Sequence, residues 1–301
     1  MKPMKLIKLI LPAILLLCLC GCAPAQESAQ VAATTLPVWE FTVRLCQDTP
    51  ITVTRLVTEQ VSCLHDYSLN VRQAKAAEAA EVVVISGAGL EDFLDDLLLD
   101  VPMIDASQGI SLICAEEADG HDGHEDHEDH DSHHHHEEDP HIWLSPENAG
   151  IMAQNIQVGL SQRYPQYAPV FEKNLKPLLA ELAQLQEYGN QTLSDLKCRD
   201  LITFHDGFSY FAQTFDLSIV EAVEEESGSE ASAKELIHLI ETVQKHGLPA
   251  VFTEVSGSTS SAGIIARETG CGQYALDMAM SGDSYFDAMY HNINTIQEAL
   301  G

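Results

Sequence analysis

The sequence predicts an α/β protein of two lobes, each a parallel sheet flanked by helices, joined by a long backbone helix. Three observations carry this. Short β-branched runs alternate with helical patterns in both halves of the chain, the pattern of parallel sheets covered by helices. A long helical pattern separates the halves. The chain has 301 residues and 45% hydrophobic content, enough for two modest cores.

The elements follow in order. Lys2, Lys5 and Lys8 precede the apolar run "LIKLILPAILLLCLC", which has the length of an export signal. It ends in "LCGC", with Leu19 three positions before Cys22 and Gly21 directly before it. This resembles a bacterial lipobox and implies cleavage after Gly21 and acylation of Cys22. The competing readings are an ordinary cleaved signal and a membrane helix. "APAQESAQ" reads as a tether.

"VAATT" (31–35) and "ITVTRLV" (51–57) read as strands, "NVRQAKAAEAA" (70–80) as a helix and "VVVIS" (82–86) as a short buried strand. "LEDFLDDLL" (90–98) has helical spacing and "PMIDAS" (102–107) is a further strand. In "SPENAGIMAQNIQVGLSQRY" (145–164), Ser145 is placed to cap a helix, with Pro146 in its first turn. Pro177, inside the next helical pattern, is expected to bend it or mark a boundary. The second half alternates again: strands at 201–204, 217–223, 250–254 and 273–276, and helices at 207–215, 232–247, 258–270 and 284–300.

The expected organisation is an export signal, 1–21; a tether, 22–30; an N-terminal lobe, 31–167, with a His- and acid-rich loop at 115–139; a linking helix, 168–197; and a C-terminal lobe, 198–301.

Fifteen Lys and Arg stand against 46 Asp and Glu, a net charge of -31. Nucleic acid is excluded as a partner, since it needs basic patches; a cation suits this field. Of eight cysteines, Cys46, Cys63, Cys114, Cys198 and Cys271 lie beyond the signal and Cys22, an odd set that leaves one unpaired within a single chain.

Outside the low-complexity loop, six histidines remain. His238, His246 and His291 fall within helical patterns and read as surface residues. His205 directly follows a strand, His65 follows one after a short loop, and His141 begins a loop leading into a helix. Asp277 directly follows the last strand. Ligands of open α/β sheets bind beyond the carboxyl ends of strands. Two facing lobes would bring these four residues to one crevice, and three imidazoles with one carboxylate suit tetrahedral zinc. Spacing alone does not separate this reading from loop residues that happen to follow strands.

"DPHIWLSPENAGIMAQNI" (139–156) and "VVVISGAGLEDFLDDLL" (82–98) resemble motifs of the metal-binding proteins of bacterial ABC transporters, the ZnuA-like zinc group in particular. "FHDGFSYFAQTFDL" (204–217) is similar to that group's "H-x-AF-x-YFA-x-x-YGL", and 264–296 to its ending. The likeness spans about residues 31 to 300. It implies an exported, lipid-anchored, monomeric zinc-binding protein that serves an ABC permease. Its metal ligands carry over to His65, His141, His205 and Asp277. Manganese members commonly place a carboxylate where this chain has His205, which favours zinc. Near the first ligand the group reads "D-P-H-x-Y-x-P-T-P" and this chain "SCLHDYSLN". Tyr67 is kept and the stiffening prolines are not.

Two further residues are weighed at the site. Glu254 ends a strand and is either an acceptor that fixes an imidazole tautomer, the favoured reading, or an alternative ligand. Cys63 is either a spare ligand or a loop or disulfide cysteine. The loop histidines His121, His124, His127, His130, His133, His134, His135 and His136 are expected to offer weak auxiliary zinc chelates, with the interleaved acids drawing cations in. The alternatives are a manganese or other divalent-metal protein, a metal store or adhesin, and a zinc hydrolase. No "HExxH" pattern supports the last.

Overall fold

The computed structural model describes residues 30–61, 64, 67–94, 100–114, 138–223 and 231–301. The expected export signal, Cys22, Cys63, His65 and all eight loop histidines lie outside the described residues.

Two four-stranded parallel sheets form the frame. The first has the order β2-β1-β3-β4, from strands β1 (Val31–Ala33), β2 (Val53–Arg55), β3 (Val82–Ile85) and β4 (Met103–Asp105). The second has the order β6-β5-β7-β8, from β5 (Asp200–Thr203), β6 (Ser218–Ala222), β7 (Ala250–Glu254) and β8 (Gly272–Leu276).

Period-two alternation sends successive side chains to opposite faces, and both faces are covered, as parallel sheets require. Val82 and Val84 enter the main core while Val83 packs on the other side. Ala250 and Phe252 enter the main core while Val251 faces helices α6 (Ala233–His246) and α7 (Ser260–Thr269). The main core is continuous between the sheets, through α1 (Leu36–Leu45), α3 (Pro146–Arg163), α4 (Ala168–Thr192) and α8 (Tyr285–Leu300).

Helix starts follow local chemistry. Asn70 caps α2 (Val71–Glu78) and Ser232 caps α6, each in a reciprocal pair with Gln73 or Glu235 three residues on. Ser145 caps α3 as expected. Gly247 ends α6 at φ 63°, a backbone state that favours glycine.

Several expectations are corrected. Helix α1 had no counterpart in the sequence reading, which ran its first strand on to Thr35, the residue that precedes this helix. Leu36, Val38, Phe41 and Leu45 are fully buried there, and each such side chain contributes about 1.5–3 kcal/mol. Of the helix expected at 90–98, only a single 3-10 turn, Asp92–Leu94, forms among the described residues. Gly87, Ala88 and Gly89 all have positive φ, so the backbone enters this stretch from a tight turn. Pro177 does not mark a boundary: α4 continues through it. Both Pro177 and Lys173 are exposed, so water can replace the N–H that the Lys173 carbonyl loses. The linking helix ends at Thr192 rather than 197. Cys46, Cys114, Cys198 and Cys271 are free thiols, and burial pushes the Cys46 thiol up to about 12.

Candidate metal centre

His205 stands two residues beyond β5, and Glu254 is the last residue of β7. The parallel pairing of these neighbours aligns Thr203 with Phe252. Two residues further along each chain, His205 and Glu254 are therefore level. His205 Nδ1 lies 3.1 Å from Glu254 Oε1, and the Glu254 side chain is only 7% exposed. Glu254 Oε1 is thus within hydrogen-bonding reach of an imidazole nitrogen.

His141 opens the 3-10 turn Ile142–Leu144, which leads into α3. It is 1% exposed. Asp139 Oδ1 accepts the His141 backbone N–H at 2.9 Å and stands 2.8 Å from its Nδ1. The sequence reading had assigned Asp139 to the solvated loop, yet it is buried. Its N–H donates to the Ile113 carbonyl, and its own carbonyl accepts the Tyr210 hydroxyl. The spacing D-P-H was the available signal: a carboxylate two residues before a histidine can reach back to its Nδ1.

The two imidazoles meet through their other nitrogens. His141 Nε2 and His205 Nε2 are 3.3 Å apart, with the rings nearly perpendicular at 88°. Each Nδ1 stands beside a carboxylate, and the two Nε2 atoms face one another. A tetrahedral shell with Zn–N of about 2.0–2.1 Å sets neighbouring ligand atoms about 3.3–3.4 Å apart. The observed separation fits such an edge.

Gly207 makes the approach possible. A Cβ there would lie 2.6 Å from Met278 Cε, 2.7 Å from His205 Cδ2 and 3.0 Å from His141 Cε1. Sequence reasoning singled out neither Gly207 nor Met278, because their role depends on three distant segments packing together.

Asp277 follows β8 directly. Its backbone N–H donates to Asn292 Oδ1 and its carbonyl accepts from Asn292 Nδ2, both at 2.7 Å. Its Oδ1 accepts the Ala279 N–H at 2.8 Å. Among the described residues, no third metal-binding side chain joins the histidine pair into a group of three. The structure thus brings His141, His205, Glu254 and Asp139 together. Asp277 directly precedes Met278, whose Cε borders the same space beside Gly207 as the two imidazoles. His238, His246 and His291 are exposed and away from this cluster, as expected for surface residues.

The chain and its fold are similar to those of known metal-binding proteins. A metal-binding protein of Treponema pallidum (strain Nichols) is 30% identical over 243 residues, covering 78% of this chain and 76% of its own length. The zinc-binding lipoprotein AdcA of Streptococcus pneumoniae (strain ATCC BAA-255 / R6) is 27% identical over 98% of this chain. This chain spans only 61% of that relative's length. The crystal structure of a ZnuA superposes with a TM-score of 0.75 at 29% identity, covering 91% of this chain and 100% of the other. The zinc-bound ZnuA-like domain of Streptococcus pneumoniae AdcA gives 0.73 at 26% identity, covering 90% and 98%. The model of the family "Zinc-uptake complex component A periplasmic" matches residues 31–299. That match leaves out only the first thirty and last two residues, and the chain belongs to this ZnuA family of zinc-uptake components.

Proposed function

We propose that this chain captures Zn2+ outside the cytoplasm and delivers it to an ABC permease, the ion being substrate rather than resident cofactor. The observation that carries the reading is the His141–His205 pair, whose facing Nε2 atoms are spaced as one edge of a zinc tetrahedron. His65 and Asp277 are proposed as the remaining ligands. An imidazole at 205, rather than a carboxylate, supports zinc over manganese, which prefers oxygen-rich shells.

The same reading assigns Cys22 as the lipid-bearing residue that anchors a monomer to the bacterial membrane. The loop histidines His121 to His136 serve as a weak, exchanging collector of zinc upstream of the tight site. Four protein ligands leave no open position for water, which supports transport rather than hydrolysis.

The test is metal analysis of protein purified without added metal, for the wild type and His205→Ala. One tightly held zinc per wild-type chain, lost in the variant, is the expected result. A variant that keeps its zinc sinks the assignment.

A further inference from the structure

Trp143 lies between two of the segments that carry ligands in the reading above. It is two residues from His141, fully buried, and its ring packs edge-on against that imidazole at 5.4 Å. Its indole Nε1–H donates to the Met278 carbonyl at 2.7 Å, one residue past Asp277. Its own carbonyl accepts the Tyr285 hydroxyl at 2.8 Å. Trp143 therefore holds both ends of the segment 278–285, which connects β8 to α8.

The rest of that segment is pinned as well. The Leu36 N–H donates to the Met280 carbonyl at 3.2 Å, and Arg55 Nη1 donates to the Gly282 carbonyl at 2.8 Å. Glu40 Oε2 accepts the Tyr285 N–H at 2.6 Å. Ala279 is held at φ 53°, a left-handed state that an alanine adopts only when its surroundings impose it. On the other flank, the buried Asn292 amide clamps both backbone groups of Asp277. The Met278 side chain, in turn, reaches the space beside Gly207 that both imidazoles border.

We propose that Trp143 is a positioning residue for the zinc site: its indole hydrogen bond to Met278 fixes the spacing between the His141 and Asp277 segments. The inference rests on the reading of Asp277 as a ligand. It goes beyond that reading in naming what holds the carboxylate-bearing chain at its distance from the histidine pair. A strut made of one hydrogen bond and a rigid ring keeps the site preformed, so the bound ion does not have to order this wall of its shell.

The test is a double-mutant cycle on zinc affinity, read by competition with a chromophoric chelator, using Trp143→Phe and Asp277→Ala singly and together. Trp143→Phe keeps the ring and deletes the donor. In the wild-type background it should weaken zinc binding by about 10-fold or more, the range for residues that orient metal ligands. In the Asp277→Ala background it should have little further effect, because the ligand it positions is gone. A merely structural tryptophan would show the same penalty in both backgrounds, and that result overturns the inference while leaving the zinc reading intact. A wild type that takes up no zinc, or an Asp277→Ala chain that binds like the wild type, overturns both. Should Trp143→Phe fail to fold, replacing Trp143 with 3-benzothienylalanine, which exchanges only the indole N–H for sulfur, carries the same cycle.

Discussion

Glu254 and His205 stand level on neighbouring strands, with Oε1 and Nδ1 3.1 Å apart. The contact is a consequence of parallel pairing between β5 and β7, so it does not depend on a loop finding its place. A carboxylate beside Nδ1 fixes the ring's orientation and presents Nε2 as the metal-binding atom. Glu254→Gln should therefore lower zinc affinity by about 10- to 100-fold, the usual cost of losing such a partner. Stoichiometry should stay at one tight ion. Chelator competition measures the first and metal analysis the second. An unchanged affinity would show that the imidazole is oriented by packing alone.

Protons and zinc compete for the same Nε2 lone pairs. Free imidazole titrates near about 6.5, and ligand histidines must be neutral to bind. Raising proton concentration therefore weakens the complex, and lowering it does not. Zinc affinity should be steady above about pH 7 and fall steeply below about pH 6, with more than one proton taken up per ion released. Titration of apparent affinity from pH 7.5 to pH 5 checks this. A flat profile would mean that the histidine pair is not the primary site.

Much of this was legible in the sequence because strand-end residues obey topology. His205, Glu254 and Asp277 each terminate or follow a strand of one parallel sheet, so alternation alone placed them on one edge. Less visible was whatever depended on packing between distant segments. Asp139 read as the last residue of the His- and acid-rich loop because the residues before it are polar, yet it is buried and bonded to His141. Helix α1 went unread because "LPVWEFTVRL" is rich in β-branched and aromatic residues, which lower helix propensity. Burial of Val38, Phe41 and Leu45 on one face overrides that bias. The missing prolines near the first ligand pointed to a looser loop. Flanking it, Gln73 bonds the Leu56 carbonyl, Glu59 and the Tyr67 hydroxyl, a polar hub that braces the chain on both sides.

Glu91 supplies a pH effect on stability, separate from metal binding. It is buried at the ends of β1 and β3, where it accepts from Thr34 Oγ1 and the Ser86 and Gly87 N–H groups. Desolvation pushes its carboxyl up to about 7, against those three donors. The unfolded chain releases this proton near about 4.3. Between these values the folded state holds more protons, so the contribution of Glu91 is fully present below about pH 4 and is lost as pH rises towards 7. Glu91→Gln removes the titration. The stability of the wild type relative to Glu91→Gln should fall from pH 5 to pH 7 and then level off, as read by urea unfolding of the metal-free protein. A difference that stays constant with pH would contradict the shift.

The His- and acid-rich insertion can be removed without disturbing its anchorage. Cys114 and Glu138 form an isolated antiparallel bridge, and the Asp139 N–H donates to the Ile113 carbonyl at 2.8 Å. The two ends of the insertion therefore meet at a closed base that Tyr210 ties to the second half of the chain. Deleting residues 119–137 leaves every one of these contacts in place, and halving the length of a connection changes its closure entropy by only about 0.6 kcal/mol. Thermal stability and the tight zinc ion should be retained. The additional weakly held ions should disappear, because spaced imidazoles among carboxylates are the only groups in the segment with affinity for zinc. Equilibrium dialysis over rising zinc, with the intact and shortened chains side by side, reads both quantities. Equal stoichiometry would show that the loop binds nothing. Loss of the tight ion would instead place the principal site within the insertion and overturn the assignment to the paired histidines.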